Sequence, residues 1–191
     1  MLADRIIAAF TFRREVYKEV EQDTAFTQTV WLLVAVVAFL NQLGSQASRN
    51  VGQWLISAII GTIFAVVGFA VGAFIVNWVG RTVFNAEVTF EELVRTLGLA
   101  YVWNVVGVLG VLAGLSNALA CLLAPALFAA WILGLISWFV AAKEALDLEW
   151  VQTIVTVILG WLALLVIMLI AGAVLGMLGL TVAAVGGLLG G

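Results

Sequence analysis

The sequence predicts an all-α membrane protein: a five-span transmembrane helical bundle preceded by a short amphipathic cytoplasmic segment. Of 191 residues, 65% are hydrophobic and only 10% charged, and mean hydropathy is +1.22. A soluble domain carries about 25% charged and about 45–50% apolar residues. A 20.3 kDa globule has no interior large enough to hide this much apolar surface from water. The charged residues, 8 basic and 11 acidic, are also gathered into clusters separated by long charge-free runs.

The first cluster fills the N-terminal segment, residues 1–25. Leu2, Ala3, Ile6, Ile7 and Phe10 fall on one helical face, but Arg13 lands where that stripe should continue. This predicts a short interfacial helix, a break near Thr11 and Phe12, and a second short helix carrying Val16, Tyr17 and Val20. Such a segment anchors the chain at the membrane surface, or it offers Arg13, Arg14 and Lys18 to a cytoplasmic protein. It holds four basic and five acidic groups, so it is not a polybasic lipid-headgroup sensor. No uninterrupted apolar stretch precedes a small-residue cleavage site, so no secretory signal is expected.

A charge at the bilayer centre costs at least ~2.5–3.5 kcal/mol, so the charge clusters mark where the chain leaves the hydrocarbon. The first span is expected at 26–44 and the second at 53–80, long enough to tilt. The stretch 93–142, free of charge after Arg95, is too long for one span, since ~20 residues cross a ~30 Å core. It divides at the small-polar turn Gly114-Leu115-Ser116-Asn117 into spans at 93–113 and 117–142. The fifth span is expected at 150–178, with a Gly-rich external tail at 180–191. Between the second and third spans, Thr89-Phe90-Glu91-Glu92 spells a capping box, which explains both carboxylates without catalysis.

Lys and Arg set the orientation. The N-terminal segment, the loop around Arg81–Arg95 and the Lys143 loop share one face, and the opposite face holds Arg49 alone. The expectation is a cytoplasmic N-terminus and an external C-terminus. Trp31, Trp78, Trp138 and Trp150 fall near inner span ends and Trp54 near an outer one. Trp103, Trp131 and Trp161 fall deeper, between helices or against lipid.

Three small-xxx-small pairs, Gly68 with Gly72, Gly110 with Gly114 and Gly172 with Gly176, mark expected helix contacts. Contacts within the chain are favoured, and a homo-oligomer stays open. Asn104, about a dozen residues into the third span, reads first as an interhelical hydrogen bond worth ~0.6–2 kcal/mol. Its second reading is a place on a pathway for small neutral solutes, through a pore or carrier. Apart from Arg95 at the start of the third, no charged residue lies inside an expected span, so a proton relay, voltage sensor or charged-substrate site has no set of residues to build it. The chain has no His, one Cys (Cys121) and one Pro (Pro125). That excludes a disulfide within the chain, a thiol–imidazole zinc site and an imidazole-ligated haem. Cys121 has no accompanying base, and no phosphate loop or HExxH is present. No catalytic residue, metal, cofactor or nucleic-acid partner is expected.

Three further segments carry a family resemblance. They are residues 14–23 with Thr27 and Gln28 after them, residues 90–101 from Phe90 to Tyr101, and residues 141–146 with Lys143 and Glu144 at their centre. In this order, with five spans, the chain resembles the Yip family of small membrane proteins, and most closely its compact prokaryotic branch. The resemblance implies a five-span integral protein, expected in a prokaryotic cytoplasmic membrane. Eukaryotic members interact with Rab-type GTPases. Their long N-terminal region and Asp-Leu-Tyr-Gly-Pro motif are absent here, so GTPase binding is not carried over. Val102 and Trp103 also stand where the family often places a proline. The function expected is a non-enzymatic scaffold or adaptor, or an accessory subunit of a larger membrane complex. It would touch lipid and another membrane or cytoplasmic protein, with Arg13, Arg14, Tyr17, Lys18, Arg95 and Lys143 as candidate partner surface.

Overall fold

The computed structural model describes residues 2–45 and 50–177. Eight α-helices and one 3₁₀ segment are found among them: α1 (Leu2–Phe10), α2 (Arg14–Gln22), α3 (Phe26–Ser45), α4 (Val51–Phe84), α5 (Phe90–Ala100), the 3₁₀ segment (Tyr101–Leu109), α6 (Gly110–Ala113), α7 (Asn117–Leu146) and α8 (Trp150–Met177). Four stretches, Phe26–Ser45, Val51–Phe84, Phe90–Ala113 and Asn117–Leu146, are long and apolar enough to cross a membrane, and α8 adds a further apolar helix. The molecule is an all-α membrane bundle. The expected tail, 180–191, lies outside the described residues, as does Arg49.

The N-terminal break falls at Thr11–Arg13. The Arg13 amide donates to the Ala8 carbonyl (3.0 Å) and the Phe12 amide to the Ala9 carbonyl (3.2 Å), closing α1 with a Schellman-type turn. That turn needs a left-handed residue, and Phe12 supplies it at φ 55° in place of the usual glycine. Its ring stacks on Trp103 (centroids 5.5 Å apart), while Phe10 meets the same indole edge-on at 4.9 Å. The apolar stripe of α1 is therefore split. Ile6 and Phe10 pack on the core, whereas Ile7 is 62% exposed.

The core lies where α3, α5 and α7 converge. Val30 and Val34 of α3, Leu93 and Leu97 of α5, and Ala141 and Ala142 of α7 are all fully buried. Phe69 of α4 reaches it and is ringed edge-on by Trp31, Tyr101 and Trp138 at 5.5–5.9 Å. α8 packs on α4 and α7; a Cβ at Gly160 would come within 2.9 Å of the Val76 side chain. α4 has 34 residues, or roughly 51 Å at 1.5 Å per residue, so it outreaches a ~30 Å core. It ends at Asn85 in the left-handed conformation, and α7 ends the same way at Asp147.

The third apolar stretch, expected as one α-helical span over 93–113, changes winding. α5 opens on the capping box, with the Glu92 amide donating to Thr89 Oγ1 and the Thr89 amide to Glu92 Oε2. It then tightens into nine residues of 3₁₀ helix, well beyond the usual three or four. The reason is local. Asn104 Nδ2 donates back to the Tyr101 carbonyl three residues earlier (3.1 Å), and Asn41 Nδ2 of α3 captures the Asn104 carbonyl (2.8 Å). Asn104 thus joins an interhelical hydrogen bond through its main chain, and its side chain stays within its own turn.

A close backbone approach joins Gly44 of α3 to Gly107 and Gly110. A Cβ on Gly110 would lie 2.6 Å from the Gly44 carbonyl oxygen. Gly68 has open space where a side chain would stand, so it makes no close helix contact. Gly114 is exposed at the turn after α6. Gly72 lies half-exposed in α4, next to buried Ala73. Gly172 and Gly176 fall in the stretch of α8 whose surroundings lie outside the described residues.

Candidate functional site

The N-terminal end of the bundle is where charge, burial and exposed surface meet. α1 and α2 form a hairpin there. Arg5 ties it shut, pairing with Glu19 (2.7 Å) and Asp23 (2.8 Å) and lying 4.9 Å over the Phe26 ring. Val16, Tyr17 and Val20 turn the apolar face of α2 onto α5 and α7.

Two residues expected on a partner surface are instead buried. Tyr17 is fully buried, and its hydroxyl shares a hydrogen bond with Ser137 Oγ of α7 at 2.8 Å, across 120 positions of sequence. Arg95 is only 4% exposed. Its Nε donates to the Val20 and Glu21 carbonyls (3.0 Å each), Nη1 donates to Thr27 Oγ1 (3.1 Å), and Nη2 donates to the Glu21 carbonyl. The last carbonyls of a helix have no partner of their own, and a cation near them also meets the negative end of the helix dipole. Arg95 therefore caps the end of α2 from another helix. Neither side chain can reach a second protein.

The other four candidates stay at the surface. Arg13 and Arg14 are exposed, Arg14 lying 5.6 Å over the Trp150 ring. Lys143 approaches the same ring at 5.6 Å and donates to the Leu148 carbonyl (3.2 Å). Lys18 is half-exposed but engaged, reaching Asp147 at 3.4 Å and Glu144 at 3.9 Å. Trp150 is thus held between two cations at the mouth of α8. Close by, burial pushes the Glu21 carboxyl up to about 7; Asp147 and Glu92 add to this, and Lys18 and Arg95 oppose it. Among the described residues, no group of three or more Cys, Asp or Glu stands where it could hold a metal ion.

A Yip1-domain family model matches residues 7–172, most of the chain and most of this end of the bundle. The protein belongs to the Yip1 family. No curated protein and no solved structure gives a match. The Yip1 match takes in the α2 run, the α5 start and the α7 end. These are the three segments that Arg95, Tyr17 and Lys18 draw together. Sequence reasoning missed the distant partners, Asn41, Ser137 and Gly44. The hydroxyl and the amide sit at ordinary helix positions with no local motif around them. The Gly107-x-x-Gly110 spacing differs from the small-xxx-small pattern that marks a helix crossing.

Proposed function

We propose that this Yip1-family protein is a non-enzymatic membrane scaffold that binds another protein through its N-terminal face, as an accessory subunit of a larger membrane complex. In this reading that face is cytoplasmic and the C-terminus external. One observation carries the proposal. The α1–α2 hairpin is locked to the bundle by buried Arg95 and Tyr17, so its Arg13 and Arg14 stand exposed on a rigid support, with Trp150 of α8 beside Arg14. A membrane anchor needs no such lock, whereas a docking face gains from it, because pre-ordered side chains lose less entropy on binding. Arg and Trp are also the residue types that most often dominate interfaces. Solubilisation of native membranes in mild detergent should co-purify a stoichiometric partner with the wild-type chain. The Arg13→Glu/Arg14→Glu variant should lose it while remaining folded. A monodisperse lone protein under every condition would overturn the reading.

A further inference from the structure

The turn from α7 to α8 carries Lys143, Glu144, Asp147 and Glu149, while α7 before Lys143 and all of α8 are free of charge. Charge is costly to bury in hydrocarbon, so this turn stands at the edge of the membrane. A groove of about 390 Å³ opens beside it, lined by Ile136, Phe139, Val140, Trp150 and Ile154. Ile136, Val140 and Lys143 fall on one stripe of α7, and Trp150 and Ile154 on one stripe of α8, so each wall is a single helix face. At 1.5 Å per residue, the wall from Lys143 to Ile136 descends about 10 Å into the hydrocarbon. Ile136 and Ile154 are 45% and 40% exposed, so the groove opens outward from the bundle.

The end of the groove nearest the turn is positive. Lys143 continues the α7 wall and Arg14 arrives from α2, each lying 5.6 Å from the centre of the Trp150 ring. Lys143 spends one of its three donors on the Leu148 carbonyl. Neither cation forms an ion pair among the described residues. The neighbouring acids are engaged elsewhere: Glu144 and Asp147 reach Lys18, and Glu15 lines a separate cleft of the hairpin together with Arg13. Two cations thus face exposed Glu149 alone, and the groove's end keeps a net positive charge. A neutral lipid would leave those cations unused, and an acidic peptide would leave the apolar walls unused. We infer that this groove binds one anionic membrane phospholipid, its headgroup held by Lys143 and Arg14 around Trp150 and an acyl chain lying along Ile136 and Ile154. The site shares Arg14 and Trp150 with the docking face but rests on the groove and Lys143, not on that reading.

The test uses the full chain, delipidated in maltoside detergent, with bound lipid titrated by native mass spectrometry. Phosphatidylglycerol and phosphatidylcholine with identical acyl chains are the probes, so that net headgroup charge separates them. Phosphatidylglycerol should bind the more tightly. Lys143→Gln and Arg14→Gln should each weaken it about fivefold, the effect of one basic side chain beside an anionic lipid. Both variants should hold phosphatidylcholine as the wild type does, which also shows that they are folded. Ile154→Trp fills the groove from an exposed position and should weaken both lipids, whereas Arg13→Ala should weaken neither. Glycerol phosphate, a headgroup without chains, should fail to displace the lipid. Equal affinity for the two lipids, or phosphatidylglycerol binding untouched by both Gln variants, would overturn the assignment. So would displacement by glycerol phosphate, since the site would then be one for a free anion. No second protein is present, so this inference and the docking proposal fail separately.

Discussion

Arg95 shows how little of a membrane charge needs to be for show. All three of its guanidinium nitrogens donate, to the main-chain carbonyls of Val20 and Glu21 and to Thr27 Oγ1, so the guanidinium replaces water for the end of α2. Arg95→Met should cost about 2–3 kcal/mol, as buried hydrogen bonds to a charged group are lost. Arg95→Lys should rescue little of it, since an ammonium cannot fork to several acceptors. Thermal unfolding in detergent, with proteolysis of the N-terminal segment as a second readout, checks both. Glu21 offers a pH-dependent counterpart. Its folded-state pKa, about 7, exceeds the ordinary 4.5, chiefly through burial and then through Asp147 and Glu92. The stabilisation it gives is complete below about 4.5 and is lost as pH rises through about 7. Acidification from pH 8 to pH 5 should therefore raise the melting temperature through this group, and Glu21→Gln should remove that increment. A variant with an unchanged pH slope would count against the assignment. At this scale the sequence was only half legible. The capping box at Thr89 and Glu92 could be read directly because both partners lie within one turn. Arg95 and Tyr17 were misplaced because their partners are main-chain carbonyls and a serine that lie far away along the chain.

Helix positions were the most readable feature, because the cost of burying charge in hydrocarbon punctuates the chain so sharply. Helix winding was not readable, since Asn104 looks the same on an α-turn as on a 3₁₀ turn until Asn41 is known to hold its carbonyl. Glycine contacts were partly readable, and here substitution separates the pairs. Gly110→Ala drives a methyl against the Gly44 carbonyl oxygen, 2.6 Å away, and should cost about 1–3 kcal/mol by overpacking. Gly68→Ala meets nothing and should be neutral or stabilising by up to about 1 kcal/mol through helix propensity. Melting temperatures of the two variants, measured in the same detergent, should move apart. Similar losses in both would mean that the α3 crossing is looser than its geometry.

Across the whole molecule, composition was enough to establish an all-α membrane bundle, while its surface roles needed coordinates. Orientation belongs to this scale, because Lys and Arg act on it collectively. A C-terminal reporter active only outside the cytoplasm should be on, and an N-terminal one off; the reverse pattern would invert the proposed docking face. The overwound 3₁₀ segment also acts at this scale. At three residues per turn it is wound about 20° per residue more tightly than an α-helix, so nine residues store roughly half a revolution. Relaxing to α-helix would turn α6 through roughly 180° relative to α5 and draw it in by about 4–5 Å. Asn41, together with the Gly44 contact, is the catch on that spring. α5 packs on α2 of the hairpin and the 3₁₀ segment on α3 and α7, so twisting one end of the third stretch must be felt at the other.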